Sequence, residues 1–160
     1  MADDLSKSLR ELRNSTDELN TLTDQANDLV RRTEHFLSKE CRVGGPVVTH
    51  IPWMDGDAEG PNGEPGPEYS TYLSYKRHKG EHRIVVEHTF DHELQVSKPW
   101  AESSRDEKLD TIKALPILID ALSQKVDKQV SEVRATVTSL EEMLPSEQDS
   151  KKPSSRRRRG

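Results

Sequence analysis

The stretch 69–90, YSTYLSYKRHKGEHRIVVEHTF, decides the fold. Two alternating runs, Tyr69–Arg77 and Glu81–Phe90, flank the dipeptide Lys79-Gly80. Alternation with a period of two marks half-buried strands, and a two-residue loop containing glycine marks a tight hairpin. Such a loop pairs His78 with Glu81 and, moving outward, Tyr75 with Ile84, Leu73 with Val86, Thr71 with His88 and Tyr69 with Phe90. The large apolar residues of one face then meet each other. A slip of one residue would destroy the match, so the register is well specified.

A hairpin alone is marginally stable, so a third strand or a covering helix is expected. Val47–Trp53 supplies the third strand, with Val47, Thr49, Ile51 and Trp53 on one face. Asp55–Glu68, rich in glycine, proline and acid, predicts a mobile loop. Leu94–Trp100 reads as a connector.

Helical patterns lie on both sides of this segment. Residues 4–42 predict one helix. Leu5, Leu12, Leu19, Ala26 and Thr33 recur every seven residues, interleaved with Leu9, Thr16, Thr23, Val30 and Leu37. That spacing is a coiled-coil-like seam. From Leu22 onward the stripe widens through Leu29 and Phe36, which suits packing on a bundle or a sheet. Gly44-Gly45-Pro46 ends the helix.

The second helical region, 104–144, opens with the capping-box pattern Ser104-Arg105-Asp106-Glu107. Pro116 predicts a kink or a break. Beyond it Ile119, Val126, Val133 and Leu140 interleave with Val130, Val137 and Leu144, and Pro145 stops the pattern. At 1.5 Å per residue the first helix is about 55 Å long and the stretch after Pro116 about 42 Å. Strands of roughly 17–20 Å cannot cover either one, so a second helix, a second copy or a partner must cover the remainder. The interaction seam is therefore read as Leu5, Leu9, Leu12, Leu19, Leu22, Val126, Val130, Val133, Val137 and Leu140, with polar Thr16, Thr23, Ser123 and Gln129 weakening it.

Composition agrees with long thin helices around a small core. Of 160 residues, 31% are hydrophobic and 33% charged, against roughly 45–50% (a count that includes glycine) and about 25% in an average globular chain. The formal net charge of −5 conceals an asymmetry. Lys151, Lys152, Arg156, Arg157, Arg158 and Arg159 give the tail +6, so the remainder carries −11. The single cysteine, Cys41, excludes an intrachain disulfide and favours a reducing compartment. The acidic start, Met1-Ala2-Asp3-Asp4, predicts no secretory leader. The apolar stretch Ile112–Leu122 is too short for a membrane span. A cytoplasmic protein without a membrane segment is expected.

Catalytic chemistry finds little support. His78, His82, His88 and His92 lie near Glu81, Glu87, Asp91 and Glu93, but the hairpin scatters them, and His88 faces Thr71, which is no metal ligand. Asp55-Gly56-Asp57-Ala58-Glu59 lacks the ligand spacing of a calcium loop. Cys41 has no signature of a nucleophile around it, and no phosphate-cradling loop or nucleophile elbow is present.

The sequence thus predicts an α+β chain with about three antiparallel strands. One helix–sheet–helix domain spans 1–145, made of helix 4–42, β segment 46–98 and helical region 104–144. A disordered basic tail follows at 146–160. The expected function is non-catalytic protein–protein interaction or assembly, with self-association or a protein partner and no cofactor or metal. Two alternatives are a nucleic-acid accessory protein using the tail cations and a metal-dependent enzyme using the histidine-rich strand.

Overall fold

The computed structural model describes residues 2–59 and 65–144. It is α+β, with two long helices and one antiparallel sheet. The expected tail, 146–160, lies outside the described residues. The chain divides into two compact units, 1–123 and 124–160. The described part of the second is helix, from Gln124 to Met143.

Helix α1 spans Ala2–His35 and continues into a π-helical turn, Phe36–Glu40. It stops two residues short of the expected end. Arg42, rather than a glycine, takes the left-handed conformation there (φ 51°), and Val43 N–H bonds back to the Leu37 carbonyl at 2.9 Å.

The sheet holds five strands: β1 Val47–His50, β2 Gly56–Glu59, β3 Pro65–His78, β4 Glu81–Phe90 and β5 Glu93–Pro99. Their order is β1-β3-β4-β5, with β2 also beside β3. β1 pairs with the 72–75 part of β3 and β2 with its 65–69 part, so the two lie end to end and the sheet is four strands wide.

The β3–β4 register matches the expected one at every pair from Tyr69–Phe90 to His78–Glu81. Lys79 (φ 48°) and Gly80 (φ 93°) form the left-handed pair that a type I′ turn requires.

Three expectations are corrected. The strand from Val47 ends at His50, because Pro52 turns the chain into a 3₁₀ turn, Pro52–Met54, and leaves Trp53 half-exposed. Part of the expected loop, Gly56–Glu59, is a strand, and β3 starts at Pro65. The expected connector is strand β5, joined to β4 by a second tight turn in which Asp91 (φ 49°) and His92 (φ 66°) are both left-handed.

One face of the sheet presents Val47, Ile51, Leu73, Tyr75, Ile84 and Val86 to the helices. Val30 of α1 and Leu37 of the π-helical turn pack there, with Trp100 of the 3₁₀ turn Trp100–Glu102. Helix α2, Arg105–Thr111, is followed by a 3₁₀ turn at Ile112–Ala114 and by α3, Leu115–Met143. Pro116 sits just inside α3, where its missing N–H costs no helical hydrogen bond. The break therefore falls before the proline. Leu115, Leu118 and Leu122 complete the core.

Candidate interaction surface

The α1 seam changes character along its length. Where α1 covers the sheet, Val30 and Leu37 are buried and Ala26 is packed against the core. Toward the N-terminus Leu5, Leu9 and Leu12 are 63%, 57% and 64% exposed, and Leu19 is partly buried. The widened flank does not enter the core as expected. Leu22, Leu29 and Phe36 stay half-exposed, because one face of α1 already fills the space above the sheet. Leu29 and Phe36 instead line a cleft with Leu37 and Ile119, rimmed by Arg31, Arg32 and Glu40.

In the second unit Val126 is partly buried, while Val130, Val133, Val137 and Leu140 are 48%, 61%, 46% and 54% exposed. Val126, Val130, Val133 and Val137 form a continuous stripe edged by Gln129, Arg134, Thr138 and Glu141. A helix that solvates such a stripe gains little from its own tertiary packing.

The polar seam positions are less polar than they look in sequence. Thr16 Oγ1 donates to the Leu12 carbonyl at 2.9 Å and Thr23 Oγ1 to the Leu19 carbonyl at 2.8 Å. Their hydroxyls are satisfied within α1, which leaves the methyl groups to contribute to the seam.

The titratable clusters of the sheet are structural in form. His88 uses both ring nitrogens: Nδ1 lies 3.1 Å from Thr71 Oγ1 and Nε2 lies 2.5 Å from Glu107 Oε1. No ring lone pair is left for a metal. His82 stacks on Tyr75 with ring centroids 5.5 Å apart, and His50 pairs with Asp55 at 2.8 Å. His78 and His92 sit beside or within turns. Among the described residues no group of three or more His, Cys, Asp or Glu side chains is placed to hold a metal. Cys41 is exposed, just past the π-helical turn.

Glu107 fulfils only half of the capping box. Its N–H bonds the Ser104 hydroxyl at 3.3 Å, but its carboxylate turns to His88 and to Lys98 Nζ at 2.6 Å. The start of α2 is thereby tied to β4 and β5. Burial opposes ionisation of Glu107, yet the bonds from Lys98 and His88 hold its carboxyl below the usual value. Burial likewise works against Glu87, and Lys76 and Ser74 outweigh it. At Glu34 burial prevails and the pKa rises, although Oε1 accepts the Ile84 N–H at 2.8 Å and Arg83 stands 3.6 Å from Oε2. That N–H lies just past the last β4–β5 pair, Val85 with Pro99, so α1 satisfies a donor that the sheet leaves open.

The depressed carboxyls set the acid limit of stability. Glu87 and Glu107 contribute fully above the ordinary carboxyl value of 4.5, and the contribution is lost as pH falls below it through their lowered folded values. Glu34 has the opposite sign, since acidification relieves its buried charge. The melting temperature should therefore drop below about pH 4.5, and the double variant Glu87→Gln, Glu107→Gln should show a flatter acid limb. Superimposable acid limbs would show that the two carboxylates contribute nothing.

One grouping escaped the sequence reading. Lys39 and Arg42, after α1, lie at the same end of the sheet as Arg77 and Lys79, about forty positions away in the chain. The visible signal was the basic run Lys76-Arg77-His78-Lys79 at the hairpin tip. The tail cations Lys151, Lys152 and Arg156–Arg159 lie outside the described residues.

No family model, no curated protein and no solved structure matches this chain. No helix among the described residues is long and apolar enough to cross a membrane.

Proposed function

We propose that this protein is a non-catalytic assembly subunit that associates with a second copy of itself through the apolar seams of α1 and α3. The observation that supports this reading is the exposure of Leu5, Leu9 and Leu12 on one helix and of Val130, Val133, Val137 and Leu140 on the other. Isolated exposed leucines are ordinary, whereas apolar stripes at helical spacing mark contact surfaces. A cytoplasmic setting goes with this reading, given the single cysteine.

Magnitudes favour the use of both helices. Fully burying a Leu or Val side chain stabilises by about 1.5–3 kcal/mol, so finishing the burial of a half-exposed one is worth roughly 1 kcal/mol. Either seam alone, counted over two copies, supplies about 6–8 kcal/mol. Association costs about 4–15 kcal/mol. One seam is therefore close to break-even, and the two together exceed the cost over most of that range.

Light scattering on the full chain at about 100 μM, a concentration matched to the weak end of such interfaces, should report a dimer or a larger species. Leu9→Asp with Leu12→Asp, or Val133→Asp with Val137→Asp, should shift the mass toward the monomer. The helical circular-dichroism signal at low concentration should be retained, because these positions are exposed. A monomeric wild-type protein at high concentration would reject self-association.

A further inference from the structure

We propose that the hairpin end of the sheet, which carries Arg77 and Lys79 and against which the segment bearing Lys39 and Arg42 packs, binds the phosphate backbone of double-stranded nucleic acid. This surface is separate from the helix seams and stands or falls independently of them.

The hairpin outruns its neighbours. Pairing with β1 extends only to Tyr75, opposite Val47, and pairing with β5 only to Val85, opposite Pro99. The pairs Lys76–Arg83, Arg77–His82 and His78–Glu81 are thus a two-stranded ribbon with no strand on either side. The end of α1 comes up against it. Ser38 and Lys39 share a cleft of ≈ 360 Å³ with Gly80–Arg83. The backbone after Arg42 passes so close that a Cβ on Gly45 would lie 3.0 Å from Lys76 Cα and 2.6 Å from the Tyr75 carbonyl oxygen.

Eight lysines and arginines fall within residues 31–42 and 76–83. Four are ion-paired within the protein: Arg31 and Arg32 share the single charge of Asp28, Lys76 pairs with Glu87, and Arg83 with Glu34 and Glu81. Lys39, Arg42, Arg77 and Lys79 form no ion pair with any described residue. Of the nearby acids Glu81 is paired with Arg83, while Glu40 remains an opposing charge beside Lys39 and Arg42, with the His35 ring 3.9 Å away. Cations after a helix complement its dipole, which accounts for Lys39 and Arg42. It does not account for Lys79 on the ribbon, and Arg77 has a contact of its own within the turn, its Nε–H donating to the Gly80 carbonyl at 3.1 Å while the rest of the guanidinium stays exposed. Unpaired cations gathered at one end of a chain with net charge −5 provide an electrostatic footprint for a polyanion.

Shape selects among polyanions. The major groove of a duplex, about 12 Å wide, admits a two-stranded β-ribbon. Cations on the ribbon and on the adjoining helix end can then reach the phosphates that border the groove. Single-stranded binding instead uses aromatic stacking platforms, and residues 76–83 contain no Phe, Tyr or Trp.

The test is fluorescence anisotropy of a labelled duplex of about 20 bp, long enough for two helical turns. The protein is the full chain with its six tail cations replaced by glutamine. Binding should weaken with salt, with a log–log slope of about −3.6 for four phosphate contacts. Arg77→Gln with Lys79→Asn should roughly halve the slope and weaken binding about tenfold or more near 50 mM salt. Asparagine suits the left-handed position before Gly80, and because Arg77→Gln also removes the bond to the Gly80 carbonyl, an unchanged circular-dichroism spectrum and melt must accompany the binding measurement. Lys39→Gln with Arg42→Asn should act in the same way from the helix side. Unchanged affinity in both double variants would overturn the proposal. So would displacement of the duplex by poly-glutamate at equal charge, which would assign the surface to an acidic protein.

Discussion

Val86→Asp should abolish cooperative thermal unfolding of the sheet-bearing unit. Val86 is 0% exposed and pairs with Leu73 at the centre of the hairpin, on the face that meets Trp100 and Leu118. Deleting a buried valine removes about 1.5–3 kcal/mol of apolar transfer. The carboxylate must in addition be desolvated without a partner or be protonated, and either outcome costs several kcal/mol more. The total rivals the 5–15 kcal/mol by which domains are usually stable. Circular dichroism during a melt provides the measurement, with Val48→Asp as the control. Val48 is 52% exposed and lies one residue out of phase with the core face, so its variant should melt within a few degrees of wild type. A wild-type melting temperature for Val86→Asp would show that the core face has been misassigned.

Trp100→Ala should cost about 3–5 kcal/mol, the usual range for emptying a large aromatic site. Trp100 is 1% exposed and is the bulkiest fully buried side chain among the described residues. Its Nε1 donates to Thr111 Oγ1 at 2.8 Å, and Lys108 Nζ stands 5.3 Å from the ring centroid. The ring joins the end of β5 to α2, so its loss opens a cavity where these two segments meet. At roughly 2–4 °C per kcal/mol for a chain of this size, the melting temperature should fall by about 6–20 °C. Trp100→Phe, which forfeits the hydrogen bond and part of the volume, should fall between the two. A drop of only a degree or two for the alanine variant would mean that the surroundings collapse into the space.

Legibility in the sequence followed the reach of the forces involved. The β3–β4 register could be read residue by residue, because Lys79-Gly80 fixes the turn and period-two alternation fixes the faces. β5 could not. Its turn, Asp91-His92, adopts the same left-handed geometry without a glycine, and its outer residues Leu94 and Val96 stay exposed. Strand β2 was hidden by a composition that signals loops. Pro52 ended β1 earlier than the alternation of Val47 to Trp53 suggested.

The seams were visible as patterns, but a pattern does not say which part of a stripe is covered. Only the placement of Ala26, Val30 and Leu37 over the sheet separates the packed portion of α1 from the bare one. Glu107 was read as a helix cap, yet its carboxylate goes to His88 and Lys98, which approach through tertiary structure. The cluster of Lys39 and Arg42 with Arg77 and Lys79 depends on the approach of residues distant in sequence.

The arrangement of the strands bears on how copies of this chain can meet. Open sheets tend to polymerise by adding a foreign strand along an unpaired rim. Here one rim is divided between β1 and β2, four residues each, with the Pro52–Met54 turn between them. The other rim, β5, has an irregular step opposite His88 and Thr89, carries Lys98, and closes at Pro99. Neither rim offers a long straight template, so backbone-to-backbone recruitment and the fibrils it seeds are disfavoured. Side-chain surfaces remain as the means of contact between molecules, and these can be tuned by substitution without disturbing the hydrogen-bonded ladder.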